Sequence, residues 1–113
     1  MTAAAADIPA AGPPPARRLL DRQMTEDELL EAVTHCARLY GWHVAHLRDS
    51  RTSNAVGLPD LVLARDGQVL LRELKNERAK VTDDQAAWLY ASGGKVWRPR
   101  DWSTGRILAE LAP

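Results

Sequence analysis

One predicted β-hairpin constrains the fold of this chain more than any other feature, because its turn fixes its register. Residues 61–64 are apolar and residues 69–74 largely so, both runs are rich in β-forming residues, and Asp66-Gly67 lies between them. This dipeptide suits a two-residue type I′ turn, since both of its positions tolerate a positive φ. The sequence therefore predicts two antiparallel strands whose facing residues are fixed.

The predicted register brings like charges together at the open end of the hairpin. Asp60 lies opposite Glu73, and like charges that face each other across a strand pair are destabilising. Lys75 follows Glu73 by two residues, so the period of a strand brings its ammonium group to the same face. Two acids and a lysine in this arrangement predict a cation site. The alternative is that these charges are solvated strand ends and that Asp60 caps a turn.

The composition limits the classes of protein to consider. A chain of 113 residues with fifteen basic and fifteen acidic side chains suits one domain of zero formal net charge. It is not a strongly basic nucleic-acid-binding domain, so any site for a polyanion must be local. The single cysteine, Cys36, is expected to be a small buried hydrophobe in a reducing, cytoplasmic setting. No apolar run approaches the roughly 20 residues of a membrane span, so no membrane association is expected.

The first 23 residues differ from the remainder. They are rich in Ala and Pro and lack the features of a secretory signal, so residues 1–23 are expected to form a disordered leader and residues 24–113 the folded domain. Met24 directly precedes the first helix signal and offers a second candidate start of translation. An intact mass that includes residues 3–23 would exclude that start.

Helix and strand signals predict the order helix, three strands, helix, strand and helix. Capping-box spacings begin two helices, with Glu28 in the first box and Gln85 in the second. Both faces of the hairpin are largely apolar, which predicts an α/β fold whose sheet is covered on both sides. Ala86, Leu89 and Tyr90 are expected to form the buried stripe of the second helix, Pro99 to end the last strand, and Asp101 to cap the closing helix. Trp42, Trp88, Trp97 and Trp102 are expected in the core, with base stacking as the less favoured alternative.

Two polar segments supply candidate contacts to phosphate groups. One is the loop before Asp60, which carries hydroxyls and arginines, and the other is the turn after Lys75. An ordinary solvated connection is the alternative for the loop. The candidate nucleic-acid-binding residues are Arg48, Ser50, Arg51, Ser53, Arg78 and Lys80.

The acids of the hairpin favour a hard divalent cation. Oxygen ligands without a His or Cys cluster select such an ion, and Mg²⁺ binds through one or two carboxylates while keeping waters for substrate phosphates. Asp60 and Glu73 are the predicted ligands, together with the backbone carbonyl of Leu74. Lys75 is predicted to stabilise charge on the phosphate or to help deprotonate the attacking water. The predicted reaction is phosphodiester hydrolysis.

These motifs resemble the VRR-NUC domain of phage and bacterial proteins, which belongs to the PD-(D/E)xK nuclease superfamily. The resemblance covers residues 25 to about 111. It rests on Gly57-Leu58-Pro59-Asp60, Arg72-Glu73-Leu74-Lys75, Gln85 with Trp88, and Trp97-Arg98-Pro99.

The resemblance implies a restriction-endonuclease-like α-β-β-β-α-β core with a mixed central sheet flanked by helices. It implies a DNA nuclease in which Asp60 and Glu73 bind Mg²⁺ or Mn²⁺ and Lys75 is catalytic. It also implies Glu26 as an acidic site residue, which we take as a metal ligand, and Gln85 as a catalytic residue. The alternative explanation is helix capping, with Glu28 as the cap of the first helix and Gln85 as the cap of the second.

Stand-alone members resemble Holliday-junction resolvases, which implies an endonuclease for branched or structured DNA and a homodimer. The competing function is a non-catalytic nucleic-acid-binding module on the same fold. A third is a small interaction protein.

Overall fold

The computed structural model describes residues 14–47 and 55–113. Its helices are α1 (Pro15–Gln23), α2 (Glu26–Leu39), α3 (Asp83–Ser92), α4 (Pro99–Ser103) and α5 (Arg106–Leu111). Its strands are β1 (His43–His46), β2 (Leu61–Arg65), β3 (Gln68–Leu74) and β4 (Lys95–Trp97). Within these residues, no helix combines the length and the apolar character needed to cross a bilayer.

The hairpin of β2 and β3 has the predicted register. Leu61 pairs with Arg72 and Arg65 pairs with Gln68, which leaves two residues for the turn. Both turn residues have a positive φ, as a type I′ turn requires: 51° at Asp66 and 80° at Gly67. The prediction of a two-residue turn is confirmed.

The four strands form one mixed sheet in the order β1-β2-β3-β4. β2 is antiparallel to both of its neighbours, whereas β4 runs parallel to β3. A parallel neighbour requires a crossover, because the chain must return to the end of the sheet where the previous strand began. Here α3 is that crossover, and the predicted α/β fold with a mixed sheet and flanking helices is confirmed.

One face of the sheet carries the hydrophobic core. Side chains of β2 and β3 pack there against α2 and α5, and Cys36 is buried among them as predicted. Trp42 and Trp97 are also buried, while Trp102 packs against the core from a partly exposed position. The buried apolar residues are Leu29, Val33, Cys36, Ala37, Trp42, Leu61, Leu63, Leu74, Trp97, Ile107 and Leu111.

The other face is covered less than predicted. α3 packs against β3, yet all of its residues are described and none of them is buried. Tyr90 is 93% exposed and Val69 on β3 is 59% exposed. The predicted burial of Tyr90, Ala86 and Trp88 in the core is therefore wrong. The apolar residues of α3 run consecutively from Ala86 to Ala91, so they surround the helix instead of forming one stripe that a sheet could bury.

The two ends of the described chain also differ from expectation. Residues 15–23, expected to be disordered, form α1, which begins with a proline at its favoured first position and packs against α4. Asp21 is buried there and accepts a hydrogen bond from Ser103 Oγ at 3.1 Å. The closing helix is two helices separated at Gly105, whose φ is 81°. Pro99 begins α4, and the carboxylate of Asp101 accepts the N–H of Arg98 at 2.8 Å from inside that helix.

Candidate metal centre

Three carboxylates from separate parts of the chain converge beside the open end of the hairpin. Glu26, Asp60 and Glu73 each offer an oxygen that lies within 4.8 Å of the oxygens offered by the other two. Glu26 and Asp60 also line a cleft of about 190 Å³, whose other walls are Asp27, Leu30, His46 and Leu74. The predicted acid pair and the acid expected from the first helix thus occupy one place.

The start of α2 separates the roles of two neighbouring acids. Thr25 Oγ1 accepts the N–H of Glu28 at 3.1 Å, and Glu28 Oε1 accepts the N–H of Thr25 at 2.9 Å. Glu28 is therefore the capping residue, and Glu26 faces the cluster. Its place in the first helical turn sets its negative charge near the positive end of the helix dipole.

Asp60 is held by both strands that flank β2. Its carbonyl accepts the N–H of Leu47 at 2.7 Å, and its Oδ2 accepts the N–H of Leu74 at 3.0 Å. The N–H and C=O groups of a strand residue point toward the same neighbouring strand. The carbonyl of Leu74 accordingly points toward the side of β3 on which Asp60 lies, as its predicted role requires.

Glu73 is the buried member of the cluster, with 2% of its surface exposed. Its Oε2 accepts a hydrogen bond from Gln85 Nε2 at 3.3 Å and lies 3.8 Å from Lys75 Nζ. Its Oε1 is buried and has no hydrogen-bond partner among the described residues. A buried carboxylate oxygen without a partner is costly, so this site is suited to a ligand that supplies positive charge.

The surroundings raise the pKa of two of the three acids, Glu73 and Glu26. Burial, followed by the charge of Asp60, raises the pKa of Glu73 from 4.5 to about 8, although the ammonium group of Lys75 acts in the opposite direction. Burial and then Asp60 also raise the pKa of Glu26 above its ordinary value. A divalent cation would remove this repulsion, and an all-oxygen donor set matches Mg²⁺ or Mn²⁺.

Gln85 both caps α3 and contacts an acid of the cluster. Its Oε1 accepts the N–H of Thr82 at 3.0 Å and completes the capping box of α3, while its Nε2 donates to Glu73. One amide side chain thus links the start of α3 to the most buried acid of the cluster.

Two of the remaining predicted contacts are in the described residues and four are not. Arg78 and Lys80 are exposed in the connection between β3 and α3. The other four predicted contacts fall outside the described residues: Arg48, Ser50, Arg51 and Ser53.

His46 is a site residue to which the sequence assigned no role. It is the last residue of β1 and pairs with Leu61, so the register of the sheet delivers it beside Asp60. A positive charge on its imidazole ring would lower the pKa of Glu26, against the larger effect of burial. The only signal in the sequence is a histidine at the end of a predicted strand, which is weak without the pairing partner.

Comparison of the chain with protein-family models, curated proteins and solved structures gives no match. Its function is therefore inferred from the geometry and chemistry of the cluster.

Proposed function

We propose that this protein is a metal-dependent DNA nuclease that hydrolyses phosphodiester bonds, acting as an endonuclease on branched or structured DNA. The observation that carries the proposal is that Glu26, Asp60 and Glu73 each offer a carboxylate oxygen within 4.8 Å of the others, and that Glu73 has a buried oxygen with no hydrogen-bond partner among the described residues. Lys75 Nζ lies 3.8 Å from Oε2 of Glu73. Carboxylates with one adjacent lysine are a donor set suited to a hard cation and to an anionic phosphate.

The proposal includes a restriction-endonuclease-like core and membership of the VRR-NUC family. Two features support this part. The run from α2 to α3 and β4 has the order α-β-β-β-α-β, with β4 parallel to β3. The Pro59-Asp60 and Glu73-Leu74-Lys75 motifs occupy the ends of β2 and β3 that meet at the cluster.

Within this proposal the chain's own residues divide into ligands and groups that act on the phosphate. Asp60, Glu73, the carbonyl of Leu74 and Glu26 would hold Mg²⁺, which when bound polarises the phosphoryl oxygen and lowers the pKa of a water. Gln85 fixes the carboxylate of Glu73 by donating to Oε2. Lys75 stabilises negative charge on the scissile phosphate or helps to deprotonate the attacking water.

A cleavage assay tests the proposal directly. Labelled linear, flap and four-way DNA substrates are incubated with Mg²⁺, Mn²⁺ or EDTA. We expect cleavage with either ion, none in EDTA, and preference for the branched substrates. Lys75→Ala is expected to lower the rate at least about a hundredfold, whereas Lys95→Ala, which removes a lysine that is 61% exposed on β4, should leave it unchanged. Equal rates for the two variants would contradict the role of Lys75.

The second candidate is a nucleic-acid-binding module without turnover, supported by the exposed basic side chains of Arg78 and Lys80 in the connection that follows Lys75. It predicts binding of the same substrates with no product in any metal.

An interaction protein without a metal site instead predicts no effect of divalent ions on the melting temperature. A bound ion should stabilise the wild type by about 3 kcal/mol at a hundredfold excess over Kd, and Asp60→Asn should abolish this stabilisation.

A homodimer is the final part of the proposal, since two centres would address two strands of a branched substrate. Sedimentation in the presence of Mg²⁺ tests it. A monomer at micromolar concentration would remove the homodimer and leave the nuclease activity untouched.

A further inference from the structure

A second cleft, of about 370 Å³, lies between α1, the connection after β3, and α4. Four arginines line it together with two acids: Arg18, Arg22, Arg78, Arg100, Asp21 and Glu77. α1 lies in the segment whose composition suggested a disordered leader, so of the residues that line this cleft only Arg78 was expected from the sequence to contact phosphate.

Both acids of the cleft have partners of their own. Glu77 lies 3.7 Å from Arg100 Nε and accepts the backbone N–H of Arg100 at 3.2 Å. Asp21 is buried and accepts a hydrogen bond from Ser103. Because the two acids are outnumbered, the lining has excess positive charge, carried on its exposed side by Arg22 and Arg78.

The positive surface continues past Arg100. An adjoining cleft of about 390 Å³ shares Arg100 and adds Arg98 and Arg106, together with one acid, Asp101, which lies 3.5 Å from Arg106 Nη1. Six of the ten arginines that the structure describes therefore border two neighbouring clefts, in a chain of zero net charge. Such a concentration creates a local positive potential that the whole-chain charge conceals.

The connection that carries Arg78 is held in place. Arg98 donates from Nη1 to the carbonyls of Asn76 and Ala79, each at 2.8 Å, and Asn76 Oδ1 accepts the backbone N–H groups of Arg78 and Ala79. A fixed backbone lowers the entropy that an arginine loses when it binds an anion.

We call the cleft lined by Arg18, Arg22, Arg78 and Arg100 the arginine cleft. Along the chain, only a few residues separate two of its walls from the candidate metal centre. Arg22 precedes Glu26 by four positions, and Arg78 follows Lys75 by three. An extended chain spans at most about 14 Å and about 11 Å over those separations. These reaches correspond to a few steps along a DNA strand, whose phosphates are spaced about 3.4 Å along the helix axis.

We propose that the arginine cleft binds the phosphodiester backbone of a nucleic acid strand, with Arg22 and Arg78 contacting phosphates that flank the scissile one. The assignment of that strand as substrate rests on the nuclease activity proposed above. Arginine supports this role because its planar guanidinium group pairs with phosphate oxygens in a bidentate geometry. Contacts of this kind position the strand without reading its sequence.

A binding experiment without turnover tests the proposal. A short fluorescein-labelled DNA duplex is titrated in EDTA with the full chain over a series of salt concentrations, and binding is followed by anisotropy. Arg22→Gln with Arg78→Gln should weaken binding about tenfold and reduce the slope of log affinity against log salt by about 2. Arg22→Lys with Arg78→Lys, which retains the charges but not the bidentate geometry, should restore the salt slope and only part of the affinity.

The matched control removes the same charge elsewhere. Arg17→Gln with Arg38→Gln replaces two exposed arginines that line neither cleft, and it should leave the salt slope unchanged. An equal loss in both double variants would overturn the proposal, as would wild-type affinity in the cleft variant. Binding of the wild type to anionic lipid vesicles in place of DNA would also overturn it.

The two proposals fail in different ways. Cleft-dependent binding by a wild-type protein that cuts no substrate would refute the nuclease and support the cleft. Cleavage by the wild type, with unchanged DNA affinity in the cleft variant, would refute the cleft and leave the nuclease standing.

Discussion

Glu73 is the residue at which the demands of folding and of function oppose each other most directly. Its side chain is 97% buried and one of its oxygens has no partner, conditions that disfavour a carboxylate. The neighbouring Asp60 and Glu26 add repulsion, whereas Lys75 supplies only partial compensation at 3.8 Å. Under the proposed function, the arrangement that disfavours the charged carboxyl in the absence of a cation is the one that would bind a cation.

The metal-free protein should lose stability as pH rises from about 4.5 to about 8. The folded-state pKa of Glu73 is raised to about 8, so in this window the folded protein binds a proton that the unfolded chain has released. Glu73→Gln cannot ionise and should be more stable than the wild type at the upper end of the window. The measurement is the melting temperature in EDTA across that range.

A matched acid elsewhere checks that the effect belongs to Glu73. Glu31→Gln changes an exposed residue of α2 and should keep the wild-type pH dependence. If wild type and Glu73→Gln lose stability in parallel as pH rises, the repulsion assigned to the buried carboxyl is absent.

At the scale of the elements, Gln85 connects the cap of α3 to the acidic cluster. Thr82→Ala removes the capping hydroxyl but keeps the contact of Gln85 with Glu73, so it should destabilise the protein by about 1 kcal/mol with little change in kcat. Gln85→Ala removes both interactions and should lower stability by a similar amount and kcat about tenfold. Denaturation and cleavage assays on the pair separate the roles. A loss of kcat in Thr82→Ala equal to that in Gln85→Ala would reduce Gln85 to a cap.

The loop that leads into Asp60 also depends on α3, through Gly57. A Cβ atom added there would lie 2.5 Å from the backbone carbonyl carbon of Asp84, and the φ of Gly57 is +87°. Gly57→Ala should therefore destabilise by more than about 2 kcal/mol and displace Asp60. Gly67→Ala has a similar φ of +80° but open space around it, so it should lose only about 1 kcal/mol. Equal losses by denaturant unfolding would show that the close approach to α3 is unimportant.

What the sequence could predict at this scale was decided by local chemistry. The Asp66-Gly67 turn fixes which residues face each other, and the two capping boxes depend on residues three positions apart, so both were readable from the chain. The acid pair follows from that register. Whether α3 is buried and where α1 packs depend on contacts with other parts of the chain, and neither has a local signal in the sequence. His46 likewise enters the cleft only through pairing with a strand far along the chain.

For the whole molecule, a charge network that includes a buried arginine fastens the last helix to the sheet. Arg72 on β3 is 4% exposed, donates from Nη2 to Glu110 Oε1 at 2.8 Å, and stacks over the ring of Trp97. Trp97 Nε1 donates to the other oxygen of Glu110 at 3.3 Å. Since Arg72 immediately precedes Glu73, this network holds the part of β3 that carries Glu73.

Removal of Glu110 should therefore affect both stability and the centre. Glu110→Ala leaves a buried guanidinium group without its carboxylate, which is expected to destabilise the protein by about 3 kcal/mol. Lys95→Ala removes only the exposed partner at 3.7 Å and should change stability by less than about 1 kcal/mol. Denaturant unfolding measures both, and the shift of melting temperature with Mg²⁺ reports on the centre. A loss confined to stability, with an unchanged Mg²⁺ shift in the folded variant, would mean that the network supports the fold without positioning Glu73.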